Sequence, residues 1–129
     1  MKFGYTILYV DDVAATAAFY MRAFGLSGKV IAPDEYAELS TGATRLAFGA
    51  KRHVAELFPI PFQNAGLDHP PPPVEIGLVV EDVASAFDRA VSAGATQVIA
   101  PAKKPWGQTV GYVRDNNGFL VELCTPLAE

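Results

Sequence analysis

The chain holds one cysteine, Cys124, and two histidines, His53 and His69, among 129 residues. A single cysteine excludes an internal disulfide and any cysteine-based zinc cluster, so a reducing compartment, the cytoplasm, is expected. Cys124 itself reads as a small buried hydrophobe or a pocket-wall residue, since no histidine accompanies it in sequence. Both histidines fall in one proline-rich stretch and read as surface or loop residues. The i, i+3 spacing of His53 and Glu56 is too common to carry weight. No apolar run approaches the roughly 18 residues of a membrane span. The apolar stretch Tyr5–Val10 is too short for a signal peptide and runs straight into Asp11 and Asp12. Charge is sparse, with 19% charged residues and a net −4, and there is no basic stripe or run. Phosphate neutralisation needs clustered Lys and Arg, so nucleic acid is not an expected partner. The mildly acidic balance would more readily tolerate a cationic ligand. What is plentiful is apolar material: hydrophobic residues make up 50%, enough for the core of one domain or of two tightly fused half-size modules.

The sequence contains a repeat. Tyr5-Thr-Ile-Leu-Tyr-Val10 reads as a strand, after which Asp11-Asp12-Val13 opens a helix; Glu75-Ile-Gly-Leu-Val-Val80 reads as a strand, after which Glu81-Asp82-Val83 opens another. In both places an Asp stands at the N-cap, where its carboxylate accepts orphan backbone N–H groups and complements the helix dipole. Inward positions fall on Val13, Ala17, Tyr20 and Phe24 in the first helix, and on Val83, Phe87, Ala90 and Gly94 in the second. The two series share a helical period and are offset by about 70 residues, roughly half the chain. Gly25 and Gly94 are placed to end the helices.

The rest of each half is strand-like: Lys29–Ile31, Tyr36–Ser40 and Arg45–Gly49, then Thr96–Ile99, Gln108–Arg114 and Phe119–Cys124. The turns Thr41-Gly42 and Asp115-Asn-Asn-Gly118 are rich in residues that tolerate left-handed backbone. Pro59, Pro61 and the run Pro70 to Pro73 mark residues 51–73 as an extended, semi-rigid linker. The expected fold class is α+β, with βαβββ modules at residues 1–50 and 74–129.

Strand alternation separates two faces. Leu8, Val10, Leu46, Phe48, Ile76, Leu78, Val80, Phe119, Val121 and Leu123 are uniformly apolar and should pack under the helices. The opposite face carries Tyr5, Ile7, Tyr9, Arg45, Ala47, Glu75, Gly77, Val79, Leu120, Glu122 and Cys124. Gln108, Val110 and Tyr112 join it with Trp106 just before them, and the repeat adds Tyr36 and Glu38. Carboxylates, an arginine and several rings suit a ligand surface better than a dry core. Trp106, the sole tryptophan, is a natural stacking platform, and Phe58 and Phe62 could cover the same opening.

Tyr9-Val-Asp-Asp-Val-x5-Phe19-Tyr20-x3-Phe24-Gly25-Leu26 resembles the first-module signature of the glyoxalase, bleomycin-resistance and extradiol-dioxygenase (vicinal oxygen chelate) superfamily. Val80-Glu-Asp-Val-x10-Gly94-Ala95 resembles its second-module signature. Trp106-Gly-Gln-x4-Val113-Arg-Asp-Asn-Asn-Gly-Phe-Leu-Val-Glu-Leu123 resembles its closing hairpin. The resemblance implies a U-shaped cleft formed by two modules, often paired across a homodimer. It also implies that metal-dependent relatives place four His, Glu or Gln ligands at positions that here fall on Tyr5, Ala47, Glu75 and Glu122. Alanine cannot ligate and a neutral tyrosine is a poor ligand, while Glu75 stands where a His is usual, so no metal cofactor is expected. Two carboxylates alone would hold a divalent ion such as Mg²⁺ or Mn²⁺ weakly.

The reading that follows is a metal-free binding protein, similar to the bleomycin- and mitomycin-resistance branch, for a small aromatic or cationic organic molecule. Its ligand contacts are expected at Tyr5, Tyr9, Tyr36, Glu38, Arg45, Glu75, Trp106, Tyr112 and Glu122. The competing reading is a glyoxalase-like lyase or isomerase, or a dioxygenase, with Glu75 and Glu122 as candidate catalytic carboxylates. A third is an interaction module with no small-molecule ligand.

Overall fold

Asp12 and Asp82 set the direction of the chain at equivalent points. Asp12 is extended (φ −128°, ψ 105°) and its Oδ1 accepts the backbone N–H of Ala15 at 2.9 Å. Asp82 repeats this with Ser85 at 3.0 Å. Each cap converts a strand into a helix that crosses back over its own sheet. In the computed structural model, which describes residues 1–127, the chain divides into two compact units, residues 1–64 and residues from 65 onward.

The first unit runs β1 (Tyr5–Val10), α1 (Val13–Phe24), β2 (Ser27–Ala32), β3 (Tyr36–Ser40), β4 (Arg45–Ala50) and α2 (Lys51–Leu57). Its sheet has the order β1-β4-β3-β2, with β1 parallel to β4 and the other pairs antiparallel. The second unit runs β5 (Glu75–Val79), α3 (Val83–Ser92), β6 (Thr96–Lys103), β7 (Thr109–Arg114) and β8 (Leu120–Cys124), with the order β5-β8-β7-β6 and β5 parallel to β8. These are two βαβββ modules of an α+β fold, as the repeat predicts. Among the described residues no helix is long and apolar enough to cross a membrane.

In the first unit α1 lies over β2, β3 and β4. Tyr20 and Phe48 are fully buried with ring centroids 4.9 Å apart, and Phe19 and Phe24 extend the cluster. Thr16, the one buried polar residue of the helix, is satisfied because its hydroxyl donates to the Asp12 carbonyl at 2.7 Å. Gly25 ends α1 at φ 68°. Phe24, expected inward, is only half-buried because it closes the last turn. In the second unit α3 lies over β6, β7 and β8 and buries Val83, Phe87 and Ala90. Ala93 caps it, one residue before the expected Gly94, which is exposed at φ 112°.

Three expectations change. Residues 51–57, read as extended linker, form α2 and fold back onto the first sheet: Val54 is buried, and a Cβ at Gly49 would sit 3.2 Å from it. Ile76, Leu78 and Val80 are half-buried rather than buried, since α3 covers β6, β7 and β8 and leaves edge strand β5 uncovered. β6 continues through Pro101 to Lys103, with register shifts that accommodate the proline.

The β7–β8 turn is tied down from both sides. Buried Asp115 accepts the backbone N–H groups of Asn117 and Phe119 at 2.8 and 2.9 Å. The Arg114 guanidinium donates to the carbonyls of Gly118 at 2.9 Å, His69 at 2.7 Å and Gly66 at 3.2 Å, pinning the chain that enters the unit. Gly118 sits at φ 88°, and a Cβ there would come 2.6 Å from the Gly66 carbonyl oxygen. Gly42 has φ 97° with open space around it. Gly118→Ala should therefore cost about 2–4 kcal/mol and Gly42→Ala about 1 kcal/mol, the left-handed strain alone, in urea unfolding. Equal losses at the two positions would disprove the clash.

Candidate functional site

Each sheet has one face under its helix and one open face, and the register fixes which residues share the open one. In the first unit, Tyr5 pairs with Arg45 and Arg45 with Ser40; Ile7 pairs with Ala47 and Ala47 with Glu38; Tyr9 pairs with Gly49 and Gly49 with Tyr36. In the second unit, Glu75 pairs with Leu120, and Gly77 with Glu122, which also pairs with Tyr112. Val79 pairs with Cys124, and Cys124 with Val110. The alternation read from sequence thus places all the candidate strand residues on the open faces.

On the first face three candidates make one contact chain. The Tyr36 hydroxyl donates to Glu38 Oε2 at 2.9 Å, and Arg45 Nε lies 3.5 Å from Glu38 Oε1. Burial, and then the hydrogen bond and negative charge of Glu38, push the Tyr36 phenol up to about 12, so it is a proton donor throughout the physiological range. Tyr5 lies next to Arg45 in register and is 54% exposed. Tyr9 is drawn elsewhere, packing edge-on against Phe62 with centroids 4.9 Å apart and near Phe58 at 6.4 Å. The segment after α2 therefore caps one end of this face, at Tyr9.

On the second face Glu75 and Glu122 are diagonal neighbours on β5 and β8, close enough for each carboxyl to feel the other. Hydrogen bonding to Glu122, followed by partial burial and the Glu122 charge, raises the Glu75 carboxyl above its ordinary range. The Tyr112 hydroxyl points at Glu122 Oε2 from 3.5 Å, and burial with the nearby carboxylates raises that phenol as well. Buried Cys124 follows on β8; its thiol contacts the Leu78 carbonyl at 3.8 Å and is pushed up by burial and by Glu122. Trp106 stands apart. It lies in the β6–β7 turn, 61% exposed, with its indole N–H on Gln108 Oε1 at 2.7 Å. Four residues of strand, roughly 13 Å, separate Gln108 from Tyr112.

The positions of a metal set can be tested against this geometry. Ala47 is fully buried and offers no donor atom, and Tyr5 faces the Arg45 cation rather than a carboxylate. Among the described residues no three His, Cys, Asp or Glu side chains come together as metal ligands. His53 lies on α2, 3.7 Å from Glu35, and His69 lies 3.7 Å from Asp68. Sequence reasoning missed Ser27, Lys29 and Ser40, which share the face of Glu38 and Arg45. The available signal was the pairing of β2 with β3, which puts Lys29 opposite Glu38.

The raised Glu75 carboxyl has a thermodynamic consequence. Its folded value lies above the ordinary 4.5, so between the two values the native state holds more protons than the unfolded one, and stability falls as pH rises through that window. Glu75→Gln should remove this fall, so its urea midpoint should gain on the parent as pH rises and the difference should level off above the raised value. Parallel midpoints between about pH 4 and 8 would show that the pair is not coupled.

Comparison with known proteins agrees with the geometry. The family model described as the Glyoxalase/Bleomycin resistance protein/Dioxygenase superfamily matches residues 2–123. An uncharacterized protein of Mycobacterium bovis is 35% identical over 130 residues, covering 95% of this chain and 82% of the relative. A glyoxalase-related enzyme from Fulvimarina pelagi superposes with a TM-score of 0.84 at 22% identity, over 98% of this chain and 88% of that one. A lactoylglutathione lyase from Agrobacterium tumefaciens gives 0.73 at 22% identity, over 96% and 92%. With the repeated βαβββ architecture and a match along nearly its whole length, this chain belongs to the glyoxalase/bleomycin-resistance/dioxygenase superfamily.

Proposed function

We propose that this protein binds a small aromatic or cationic organic molecule without a metal ion, and that it acts by occupancy, as a homodimer in the cytoplasm. The observation that carries this reading is the Glu75–Glu122 carboxyl pair with Tyr112 beside it, on the open face of the second sheet. Two neighbouring carboxylates favour a proton or a ligand cation between them, because either relieves their repulsion. The donor set for a catalytic metal is poor, since Ala47 offers nothing and two carboxylates hold a divalent ion weakly. The exposed ring of Trp106 adds apolar area on the same unit.

A second reading has its own support in the raised Glu75 carboxyl, which suits metal-free proton transfer, and in the fold shared with a lactoylglutathione lyase. Turnover of the methylglyoxal–glutathione hemithioacetal would favour it.

The test of the leading reading is titration of the full chain with planar cationic dyes, read through the fluorescence of the sole tryptophan. Saturable quenching is expected, and Glu122→Gln should weaken it by roughly tenfold or more. A native mass spectrum of protein purified without added metal should show a metal-free dimer. Near-stoichiometric metal, or quenching that never saturates with any dye, would overturn the reading.

A further inference from the structure

The open face of the first sheet has a second feature beyond the Tyr36–Glu38 pair. A depression of about 210 Å³ lies over β2, β3 and β4, walled by Ser27, Lys29, Glu38, Ser40 and Arg45. By register these side chains fall in two adjacent rows on one face: Ser27, Ser40 and Arg45, then Lys29 and Glu38. We propose that this depression is a binding site for a small oxyanion, a carboxylate or phosphate group, held by Arg45 and Lys29 with the two serine hydroxyls as further donors. The site lies wholly within the first unit and stands whether or not the second unit's carboxylates bind a cation.

The donor geometry favours an anion over the alternatives. Arg45 spends only its Nε on Glu38, at 3.5 Å, and its side chain is 61% exposed, so the terminal nitrogens of the fork remain for a planar, two-oxygen acceptor. Lys29 makes no ion pair among the described residues, although it stands directly opposite Glu38 in register. Glu38 is held from one side by Tyr36 and from the other by Arg45, which fixes it at the edge of the depression as an acceptor already in use. Two cations against one engaged carboxylate leave a surplus positive charge, and two hydroxyls that can donate line the same wall. The volume accommodates a compact group such as phosphate or acetate with its hydration, and Gly28 and Leu39 complete the wall between the polar side chains.

The experiment uses the full chain, labelled with ¹⁵N and titrated at constant ionic strength with inorganic phosphate and, separately, with acetate. Saturable shifts are expected at the backbone amides of Ser27 to Lys29 and Glu38 to Ser40 and at the Arg45 side-chain Nε, with the amides of Gly77 and Glu122 unmoved. Half-saturation in the range of about 1–10 mM is the expectation for two charge-assisted contacts at a solvated surface. Arg45→Gln and Lys29→Gln should each weaken binding by roughly tenfold, whereas Glu38→Gln should tighten it by removing a competing negative charge. The anion that saturates at lower concentration identifies the group, phosphate or carboxylate. Absence of saturable shifts with both anions, shifts reproduced by chloride at equal ionic strength, or binding indifferent to both Arg45→Gln and Lys29→Gln would overturn the proposal. Because the planar dyes are read at Trp106 and the anions at β2 and β3, either site can fail without the other.

Discussion

Everything else in this molecule depends on how far one helix can cover a sheet. An α-helix with its side chains is about 10–12 Å across, while four strands spaced about 4.8 Å apart are considerably wider. A single crossing helix therefore seals part of one face of each sheet and leaves the other to different partners, which in the first unit include α2 where Val54 meets Gly49. How far the seal extends depends on side-chain bulk. α1 projects Phe19, Tyr20 and Phe24, and Leu8 and Val10 of edge strand β1 are buried. α3 buries only Val83, Phe87 and Ala90, and the matching residues of β5, Ile76 and Leu78, stay half-exposed. The same fold thus produces a well-sealed module and a leaner one from a difference of two aromatic rings.

The open faces follow from that constraint. A sheet face with no helix over it need not be apolar, and both faces here hold a tyrosine hydrogen-bonded to a glutamate. In the first unit the pair lies along one strand, Tyr36 to Glu38 on β3, with Ala47 beside it on β4. In the second it lies across strands, Tyr112 on β7 to Glu122 on β8. The β4 position that carries Glu122 in one module carries Ala47 in the other, and the carboxylate has moved one strand over.

Much of this was legible because it depends on short-range periodicity. The Asp caps, the helical spacing of Val13, Ala17 and Tyr20, and the large apolar residues at every second position of β4 and β8 are local signals, and they located both modules and both faces. α2 was not legible. It has no side-chain N-cap, spans only Lys51–Leu57 and precedes prolines, so local propensity argues against it. It is held by tertiary contacts, Val54 against Gly49 and then Phe58 and Phe62 against Tyr9. The Arg114 clamp was invisible for a similar reason, as its carbonyl partners at Gly66 and His69 lie 48 and 45 residues away. The depression on the first face escaped because β2 is exposed along nearly its whole length and so shows no alternation to read.

The two open faces share a framework and differ in sign. Glu38 is neutralised where it stands, by the Arg45 guanidinium and the Tyr36 hydroxyl, and Lys29 leaves that surface with positive charge to spare. Among the described residues Glu122 has no ion-pair partner, and it instead faces a second carboxyl, Glu75, whose proton is retained to higher pH as a result. A positive surface can take up an anion with no change in its own protonation. A paired-carboxyl surface must first release a proton before it can present its full charge to a cation. A cation at the second face would therefore compete with that proton, whereas an anion at the first would meet cations, Arg45 and Lys29, that stay charged. That difference arises from changes at matching positions of one scaffold: Glu122 for Ala47 and Leu120 for Arg45 on the inner strand, and Glu75 for Tyr5 on the edge.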